Sequence, residues 1–357
     1  MAAPEYRRVV SQEVKPEVDA SVVMSTHNRA HWLDAALCAL AAQQCDAAFE
    51  VIVIDNASTD DTKTALESWC RKDRRFRTAY EGRPGLSCGK NAGIRLARGP
   101  LLLFTDDDTL THPQWISAYL DLFARHHAAS MIAGGVQIPV PDDLGPWPAW
   151  FTEPAMTNVA LLDYGSERRL AALEYVWGAN MAVPRQVFEK CGGWDETVGR
   201  KGESRGTFED TEFQDRVRAA GIDVWFCPDA IIRHRVARGT LTPRRIFASA
   251  FARGRNERWK QSHSVSRQVK SGAKYKVVAV LFMLVADLMK WALWVTAFRV
   301  FRTKSNFERA RRAALGSGRT LETLHIQCKS VRVYHAVGRI VFGWRRLLLR
   351  LCSDVVG

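Results

Sequence analysis

Short, mostly apolar runs alternate with helical patterns through the first third of the chain. The apolar runs are SVVMS (21–25), FEVIVI (49–54) and LLLF (101–104), with a weaker run near 75–79, and helical patterns cover 30–44, 61–72 and 89–97. A strand that is apolar at every position must be covered on both faces. The alternation therefore predicts an α/β fold built from β-α-β units around a buried, mostly parallel sheet.

Polar clusters follow three of these strands. They are Thr26-His27-Asn28-Arg29, Asp55-Asn56-Ala57-Ser58 and Asp106-Asp107-Asp108. In open sheets of this kind, ligands bind beyond the carboxyl ends of the strands. The three clusters predict one binding site at a single edge of the sheet.

The acidic triplet predicts a metal site. Adjacent carboxylates raise one another's pKa unless a cation lies among them, although Asp after a strand is also an ordinary turn residue. We expect Asp106 and Asp108 to hold Mg²⁺ or Mn²⁺. Asp107 is expected to point away from the ion, either as a capping residue or as a support for the residues that bind it. Asp55 can accept a hydrogen bond from a base, and the helix after Asn28 should offer free backbone donors to an anion. These features predict a nucleotide diphosphate as the ligand.

Two later segments add candidate residues. In 175–197, a strand-like run after Gly178 leads through Pro184 into a helix, and in 206–236 Glu209 and Asp210 begin an amphipathic helix. Acidic residues in a first helical turn often do no more than complement the helix dipole. The Pro- and Trp-rich insertion 139–165 shows no strand or helix pattern. We expect this insertion to lie on the side of the site where the acceptor binds. A surface loop that only packs against the protein is an equally good interpretation.

The charge is divided unevenly along the chain. Residues 1–232 carry a net −9 and residues 233–357 a net +22, with 27 Lys/Arg against 5 Asp/Glu. The eight cysteines form no C-x-x-C pair, which favours a reducing compartment, and residues 1–20 show no apolar leader segment. We therefore predict a tail (1–19), a catalytic domain (20–240) and a basic, apolar helical region (241–357).

Five motifs together resemble the family 2 glycosyltransferases, which are inverting enzymes of GT-A (Rossmann-like) fold. In chain order they are SVVMSTHNRAHWLDAALCALAAQ, FEVIVIDNASTDDT, GLSCGKNAGIRLARGPLLLFTDDD, WGANMAVPRQVFEKCGGWDE and GTFEDTEFQDRVRAAG. The resemblance covers about residues 20–237. Departures include His27 and Asn56 within the first two motifs, and Lys90 where arginine is common.

The resemblance implies a role for each matching residue. The nucleotide-sugar would contact Thr26, Asn28, Arg29, Asp55, Ser58, Asn91 and Asp106, with Trp177, Gly178 and Asn180 bordering the sugar and the acceptor. Asp106, Asp108 and His234 would bind Mn²⁺ or Mg²⁺, and Asp210 of the Glu209-Asp210 pair would be the catalytic base. UDP is the expected nucleotide, with GDP or dTDP as alternatives.

The basic C-terminal region contains two apolar helical patterns. Segment 275–298 has 20 apolar residues in 24, and Lys276, Asp287 and Lys290 fall on one face of a helix. A single polar stripe is more typical of a helix at a membrane interface, or in a helical pair, than of a single membrane-spanning helix. Segment 331–352 has the pattern of a basic amphipathic helix at an anionic membrane, with the core helix of a homodimer as the alternative.

The predicted function is metal-dependent sugar transfer from a nucleotide-sugar to an envelope glycan or lipid-linked acceptor, as in polysaccharide biosynthesis, at the cytoplasmic face of the cell membrane. A nucleic-acid-binding protein is one alternative, suggested by the pI of about 9.6. Its basic segments, however, alternate with aliphatic surface and match no nucleic-acid module, so we expect no nucleic-acid partner. A sugar nucleotidyltransferase is another alternative, but STHNRAHW lacks a Gly-rich triphosphate loop.

Overall fold

The computed structural model describes residues 18–126, 131–197, 209–251, 254, 273–301 and 303–327. These residues form two compact units. The first contains residues up to 138 together with 162–235, and the second contains 139–161 together with the residues from 236 onward. The predicted catalytic range 20–240 therefore includes a segment, 139–161, that clusters with the C-terminal helices.

The first half of the sheet is parallel, as predicted. Its elements are β1 (Ala20–Thr26), α1 (Ala30–Ala41), β2 (Phe49–Asp55), α2 (Thr62–Lys72), β3 (Phe76–Tyr80), α3 (Leu86–Leu96) and β4 (Leu101–Thr105). The strand order is β3-β2-β1-β4. β1 and β2 run in register from end to end, so that Thr26 lies beside Asp55.

The second half of the sheet is antiparallel. The chain continues through β5 (Thr109–Thr111), α4 (Trp115–Arg125), β6 (Met131–Pro141), β7 (Arg168–Arg169), β8 (Asn180–Pro184), α5 (Arg185–Cys191), α6 (Glu209–Ala219) and β9 (Asp223–Val236). β8 lies antiparallel to β4, and β6, β9 and β5 follow outward. β7 pairs with β9.

Both faces of the sheet are covered, which explains the continuous apolar runs. Val22 and Met24 of β1 belong to a core with residues of α1, α2 and α4, whereas Val23 belongs to a second core with residues of α3, α5 and α6. Successive side chains of a strand point to opposite faces. The central strands are therefore mostly apolar, and two of their buried polar residues, Ser21 and Glu50, are hydrogen-bonded to each other.

The second unit is helical. It contains α7 (residues 243–251), α8 (Ala273–Phe301), α9 (Lys304–Gln327) and a 3₁₀ segment, Glu153–Val159, within the insertion that was expected to be irregular. Its core is rich in aromatic side chains, including Phe247, Trp291 and Phe307. None of the described helices combines the length and apolarity needed to cross a bilayer.

The polar stripe on α8 favoured an interfacial helix or a helical pair, and α8 packs against α9. Asp287 accepts a hydrogen bond from the hydroxyl of Thr320 on α9 at 2.7 Å, whereas Lys290 is exposed. α9 was not predicted from the sequence, and it supplies the partner for Asp287. α8 is thus one member of a helical pair, and the predicted helix at 331–352 lies outside the described residues.

Candidate functional site

The loops after β1 and β2 are joined by hydrogen bonds at the sheet edge. Asn28 has a left-handed backbone (φ 52°), and its side-chain oxygen accepts the backbone N–H groups of Thr59 at 2.7 Å and Asp60 at 3.3 Å. The Ser58 hydroxyl accepts the N–H of Asn28 at 3.0 Å, and the Ser58 N–H donates to Asp55 at 3.0 Å. Asn28, Asp55 and Ser58, all expected at the nucleotide, therefore form one preorganised edge.

The start of α1 differs from the prediction. The backbone N–H of Ala30 donates to a carboxylate oxygen of Asp60 at 3.2 Å, and that of Arg29 donates to the Thr62 hydroxyl at 3.3 Å. An acidic side chain at a helix N-terminus satisfies the exposed donors and complements the dipole. The expected free donors for an anion are therefore taken up by residues of the β2–α2 loop.

Asp107 has the supporting role that the sequence predicted. The Thr26 hydroxyl donates to its Oδ2 at 2.6 Å, and an Arg29 guanidinium nitrogen lies 4.0 Å from its Oδ1. Burial and the neighbouring Asp108 raise the pKa of Asp107 to about 7. The hydroxyl of Thr26 is thus engaged by Asp107, and a contact with a nucleoside stays a prediction.

Asp106 and Asp108 lie in the turn between β4 and β5, where β9 brings His234 alongside. His234 pairs with Thr109 across the two strands, and its Nε2 lies 3.4 Å from Asp108 Oδ1. Burial raises the pKa of Asp106; Lys90 opposes the shift, and the Asp108 carboxylate adds to it. Arg29 lies 3.5 Å from the other oxygen of Asp108.

This turn fits a divalent cation in part. The Oδ1 atoms of Asp106 and Asp108 and the Nδ1 of His234 are buried, and no described residue forms a hydrogen bond with them. Carboxylate oxygens are the ligands that Mg²⁺ and Mn²⁺ prefer. Among the described residues, however, no group of three or more His, Cys, Asp or Glu side chains is arranged to hold a metal by itself. The expected triad is therefore not assembled, and two carboxylates with a substrate's phosphate oxygens would have to share the ion.

A second carboxylate site lies at the start of α6. Asp210 Oδ1 is 3.3 Å from the ammonium of Lys90, and its Oδ2 accepts the backbone N–H of Gly178 at 2.8 Å. Glu209, its neighbour, is buried. Burial alone would lower the pKa of Lys90, but the carboxylates of Asp210 and Asp106 raise it.

Asn91 binds Trp194 and Glu196. Its amide donates to the Trp194 carbonyl at 2.9 Å and to Glu196 at 3.0 Å, and its oxygen accepts the Trp194 N–H at 2.9 Å. A Cβ added to Gly193 would lie 2.5 Å from the Asn91 oxygen, so this close approach requires glycine. Asn91 thus fixes Trp194, whose ring lies 4.5 Å from the Lys90 ammonium.

Asn180 corrects the prediction that it borders the sugar. It has no exposed surface, and its amide oxygen accepts hydrogen bonds from Trp115 at 2.7 Å and Tyr119 at 2.8 Å. Its amide nitrogen donates to the carbonyls of Val136 and Ala230, each at 2.8 Å. Asn180 therefore joins β8, α4, β6 and β9. By contrast, Trp177 is 42% exposed and remains available to a ligand.

Sequence reasoning missed Lys90 and Asn56 as organising residues. The amide nitrogen of Asn56 donates to the Glu81 and Arg83 carbonyls at 3.2 and 2.8 Å, and its oxygen accepts the Gly85 N–H at 2.8 Å. These bonds orient the chain entering α3, the helix that carries Lys90. The signal for Lys90 was its position inside the GKNAGI motif, where only its departure from arginine was noted.

Comparisons with known proteins agree with this geometry. Residues 21–192 match the model of the family described as Glycosyl transferase family 2. Validoxylamine A glucosyltransferase from Streptomyces hygroscopicus subsp. jinggangensis is 30% identical over 57% of this chain and 52% of its own length. Glucosyl-dolichyl phosphate glucuronosyltransferase from Haloferax volcanii is 29% identical over 33% of this chain and 37% of its own. The chain thus spans about half the length, or less, of these curated relatives.

Solved structures of similar fold are glycosyltransferases. The mannosyltransferase PcManGT from Pyrobaculum calidifontis, in complex with GDP-Man and Mn²⁺, has a TM-score of 0.50 at 16% identity, covering 95% of this chain and 85% of that one. S. aureus TarS 1–349, in complex with UDP-GlcNAc, has a TM-score of 0.50 at 15% identity, covering 88% and 93%. At these identities the likeness establishes the GT-A fold. Residues 21–192 match the model of Glycosyl transferase family 2, so this part of the chain is similar to a domain of that family.

Proposed function

We propose that the protein is an inverting hexosyltransferase that moves a sugar from a nucleotide-sugar to an acceptor hydroxyl, with Asp210 as the general base. One observation carries the proposal: Asp210 and the Asp106–Asp108 turn lie at the same end of β4. The Gly178 N–H that donates to Asp210 at 2.8 Å lies two residues before Asn180, which pairs with Thr105 at the end of β4. A transferase of this kind needs one carboxylate site for the diphosphate and its ion, and another for the proton.

The proposed role of Asp210 is to take the proton of the acceptor hydroxyl. In the proposed step the acceptor oxygen forms a bond to the anomeric carbon while the bond from that carbon to the nucleoside diphosphate breaks. The acceptor's proton passes to Asp210, and the electron pair of the broken bond leaves with the diphosphate. Within the described part of the chain, each Asp210 oxygen accepts one hydrogen bond, from Lys90 or from Gly178, so a carboxylate oxygen keeps a lone pair for the acceptor.

Asp106 and Asp108 are the residues that would hold Mn²⁺ or Mg²⁺, with His234 beside Asp108. A bound divalent ion would stabilise the negative charge of the departing diphosphate. Arg29, 3.5 Å from Asp108, brings an additional positive charge to the same edge. The buried, unpartnered oxygens of Asp106 and Asp108 support this assignment, as does the Mn²⁺ in the PcManGT complex.

The donor is proposed to be a UDP-sugar, bound at the edge formed by Asn28, Asp55 and Ser58. TarS, of similar fold, is solved with UDP-GlcNAc, whereas PcManGT is solved with GDP-Man. Titration calorimetry of UDP, GDP and dTDP, each with and without Mn²⁺, tests this choice. We expect UDP binding that requires Mn²⁺ and is lost in Asp108→Ala, and unchanged binding in the control Asp215→Ala on α6. Binding of no nucleotide under any metal condition would contradict the proposed function.

The acceptor is proposed to be an envelope glycan or a lipid-linked acceptor at the cytoplasmic face of a membrane. An apolar stripe on α8 supports this. Val285, Met289, Leu293 and Val300 are 55–67% exposed and fall within a sector of about 80° at 100° per residue. The buried residues Leu288, Trp291 and Val295 lie on the opposite side. An exposed apolar stripe in a strongly basic region is typical of a surface that binds anionic membranes.

Vesicle flotation tests the membrane proposal. We expect the protein to float with vesicles of phosphatidylglycerol and phosphatidylcholine more than with phosphatidylcholine alone. The double variant Met289→Glu/Leu293→Glu should reduce flotation by about tenfold, because two charges would enter the interface. The control Gln44→Glu/Gln114→Glu adds the same charge at exposed positions of the first unit. Equal loss in both variants would contradict a role for the stripe.

A further inference from the structure

Lys90 is an unusually buried cation within the first unit. Its side chain lies on α3 and is 2% exposed, although lysine is almost never fully buried without a partner. Its Nζ lies 3.3 Å from Asp210 Oδ1 and 4.5 Å from the centre of the Trp194 ring. The lysine is therefore enclosed by the proposed base on one side and by an aromatic face on the other.

The charge of Lys90 is maintained by its neighbours. Burial alone would lower its pKa, but the carboxylates of Asp210, Asp106 and Glu209 outweigh burial and raise the pKa. The ring of Trp194 adds a cation–π contact. Asn91, the next residue on α3, fixes the Trp194 backbone through two hydrogen bonds of 2.9 Å. α3 thus positions both the ammonium and the ring against which it packs.

Gly178 holds the other side of the Asp210 carboxylate. Its backbone N–H donates to Oδ2 at 2.8 Å. A Cβ at this position would lie 2.2 Å from Asp210 Oδ1 and 2.6 Å from the Lys90 ammonium. Only glycine leaves room for the carboxylate between the backbone and the lysine, so the three groups form one packed unit.

We propose that Lys90 is the positioning residue for Asp210, a role that rests on the proposed function. It orients the carboxylate so that a free lone pair faces the acceptor, and its burial keeps its own ammonium from binding the nucleotide-sugar. The alternative is that Lys90 binds the donor's diphosphate directly. The two roles differ in the kinetic parameter that a substitution changes.

The experiment compares Lys90→Met, Lys90→Arg and Gly178→Ala with the control Arg95→Met, an exposed position on the same helix. For Lys90→Met and Gly178→Ala we expect kcat to fall about 100-fold, the effect of a misplaced catalytic group. The Kd for UDP with Mn²⁺ should stay within about threefold. Lys90→Arg should recover much of the kcat, because it restores a cation opposite Asp210.

Two results would overturn the proposal. One is weaker UDP binding by Lys90→Met, seen as a higher Kd, with an unchanged kcat. This result would mean that Lys90 binds the diphosphate. The other is a crystal structure of Lys90→Met in which Asp210 keeps its orientation and its contact with Gly178. The crystal structure tests the positioning role of Lys90 even if the wild-type protein transfers no sugar. A lack of sugar transfer would count against the proposed function and would leave the positioning role to the crystal structure. Gly178→Ala tests the same geometry if Lys90→Met does not fold.

Discussion

The two units of the protein bury different kinds of group. In the first unit, charged and polar side chains such as Lys90, Asp107 and Asn180 are buried among strands and helices and are hydrogen-bonded or ion-paired. In the second unit, the core consists mainly of aromatic and aliphatic side chains, and α8 leaves an apolar stripe exposed. Buried polar networks give a rigid site for a small polar ligand, whereas an apolar stripe suits an extended surface. The difference favours donor chemistry in the first unit and acceptor or membrane binding in the second.

The largest effect is expected from Asp210→Asn. It keeps the shape of the side chain but removes the base, so kcat should fall about 1000-fold, within the range of general base catalysis. UDP binding should be preserved. Steady-state kinetics on a competent acceptor, with Asp215→Asn of the same helix as the control, checks this. Full activity in Asp210→Asn would show that another group accepts the proton.

Asn180→Leu tests the buried polar network of the first unit. The substitution removes the acceptor of the Trp115 indole N–H and the donor to the Val136 and Ala230 carbonyls, which should cost about 3 kcal/mol of stability. The Tyr119 hydroxyl keeps the backbone carbonyl of residue 180 as an acceptor at 3.1 Å. Hydrogen exchange measured on α4 and β8 should show the loss locally. The control Gln44→Ala, at an exposed site, should change little. A stability change below that of Thr320→Val would contradict the contrast between the units.

Ala314→Leu tests the apolar packing of the second unit. Ala314 is fully buried in that core, so a larger side chain should overpack it and cost about 2 kcal/mol. Exchange on α8 and α9 should rise, whereas exchange on β1 and β2 should not. Ala313→Leu, at a partly buried neighbouring position, is the control. Equal effects at both positions would indicate a loosely packed helical pair.

Thr320→Val removes one of the polar contacts of the second unit. The Thr320 hydroxyl donates to Asp287 at 2.7 Å, and its loss should cost about 1 kcal/mol, the ordinary net value of one hydrogen bond. Exchange on α9 measures the change, with Thr296→Val on the exposed side of α8 as the control. A cost as large as that of Asn180→Leu would mean that both units depend equally on buried polar groups.

The sequence by itself determined the parallel half of the sheet and the positions of most candidate side chains. Mostly apolar runs predicted β1, β2 and β4, because both faces of a central strand are covered and favour apolar side chains. Polar residues at the ends of these strands predicted the site edge. The acidic turn and the start of α6 were also evident as motifs. For Asp107, the predicted supporting role agrees with its contacts to Thr26 and Arg29.

Only the tertiary structure decided which polar groups face a ligand and which hold the fold together. Asn180 and Gly178 lie two residues apart in one motif, yet Asn180 joins four elements and Gly178 contacts the proposed base. Lys90 and Asp210 are 120 residues apart, and Thr320 lies 33 residues from Asp287. The physical reason is that a hydrogen-bond partner is set by the packing of distant elements, whereas local sequence encodes only periodicity and turn preference.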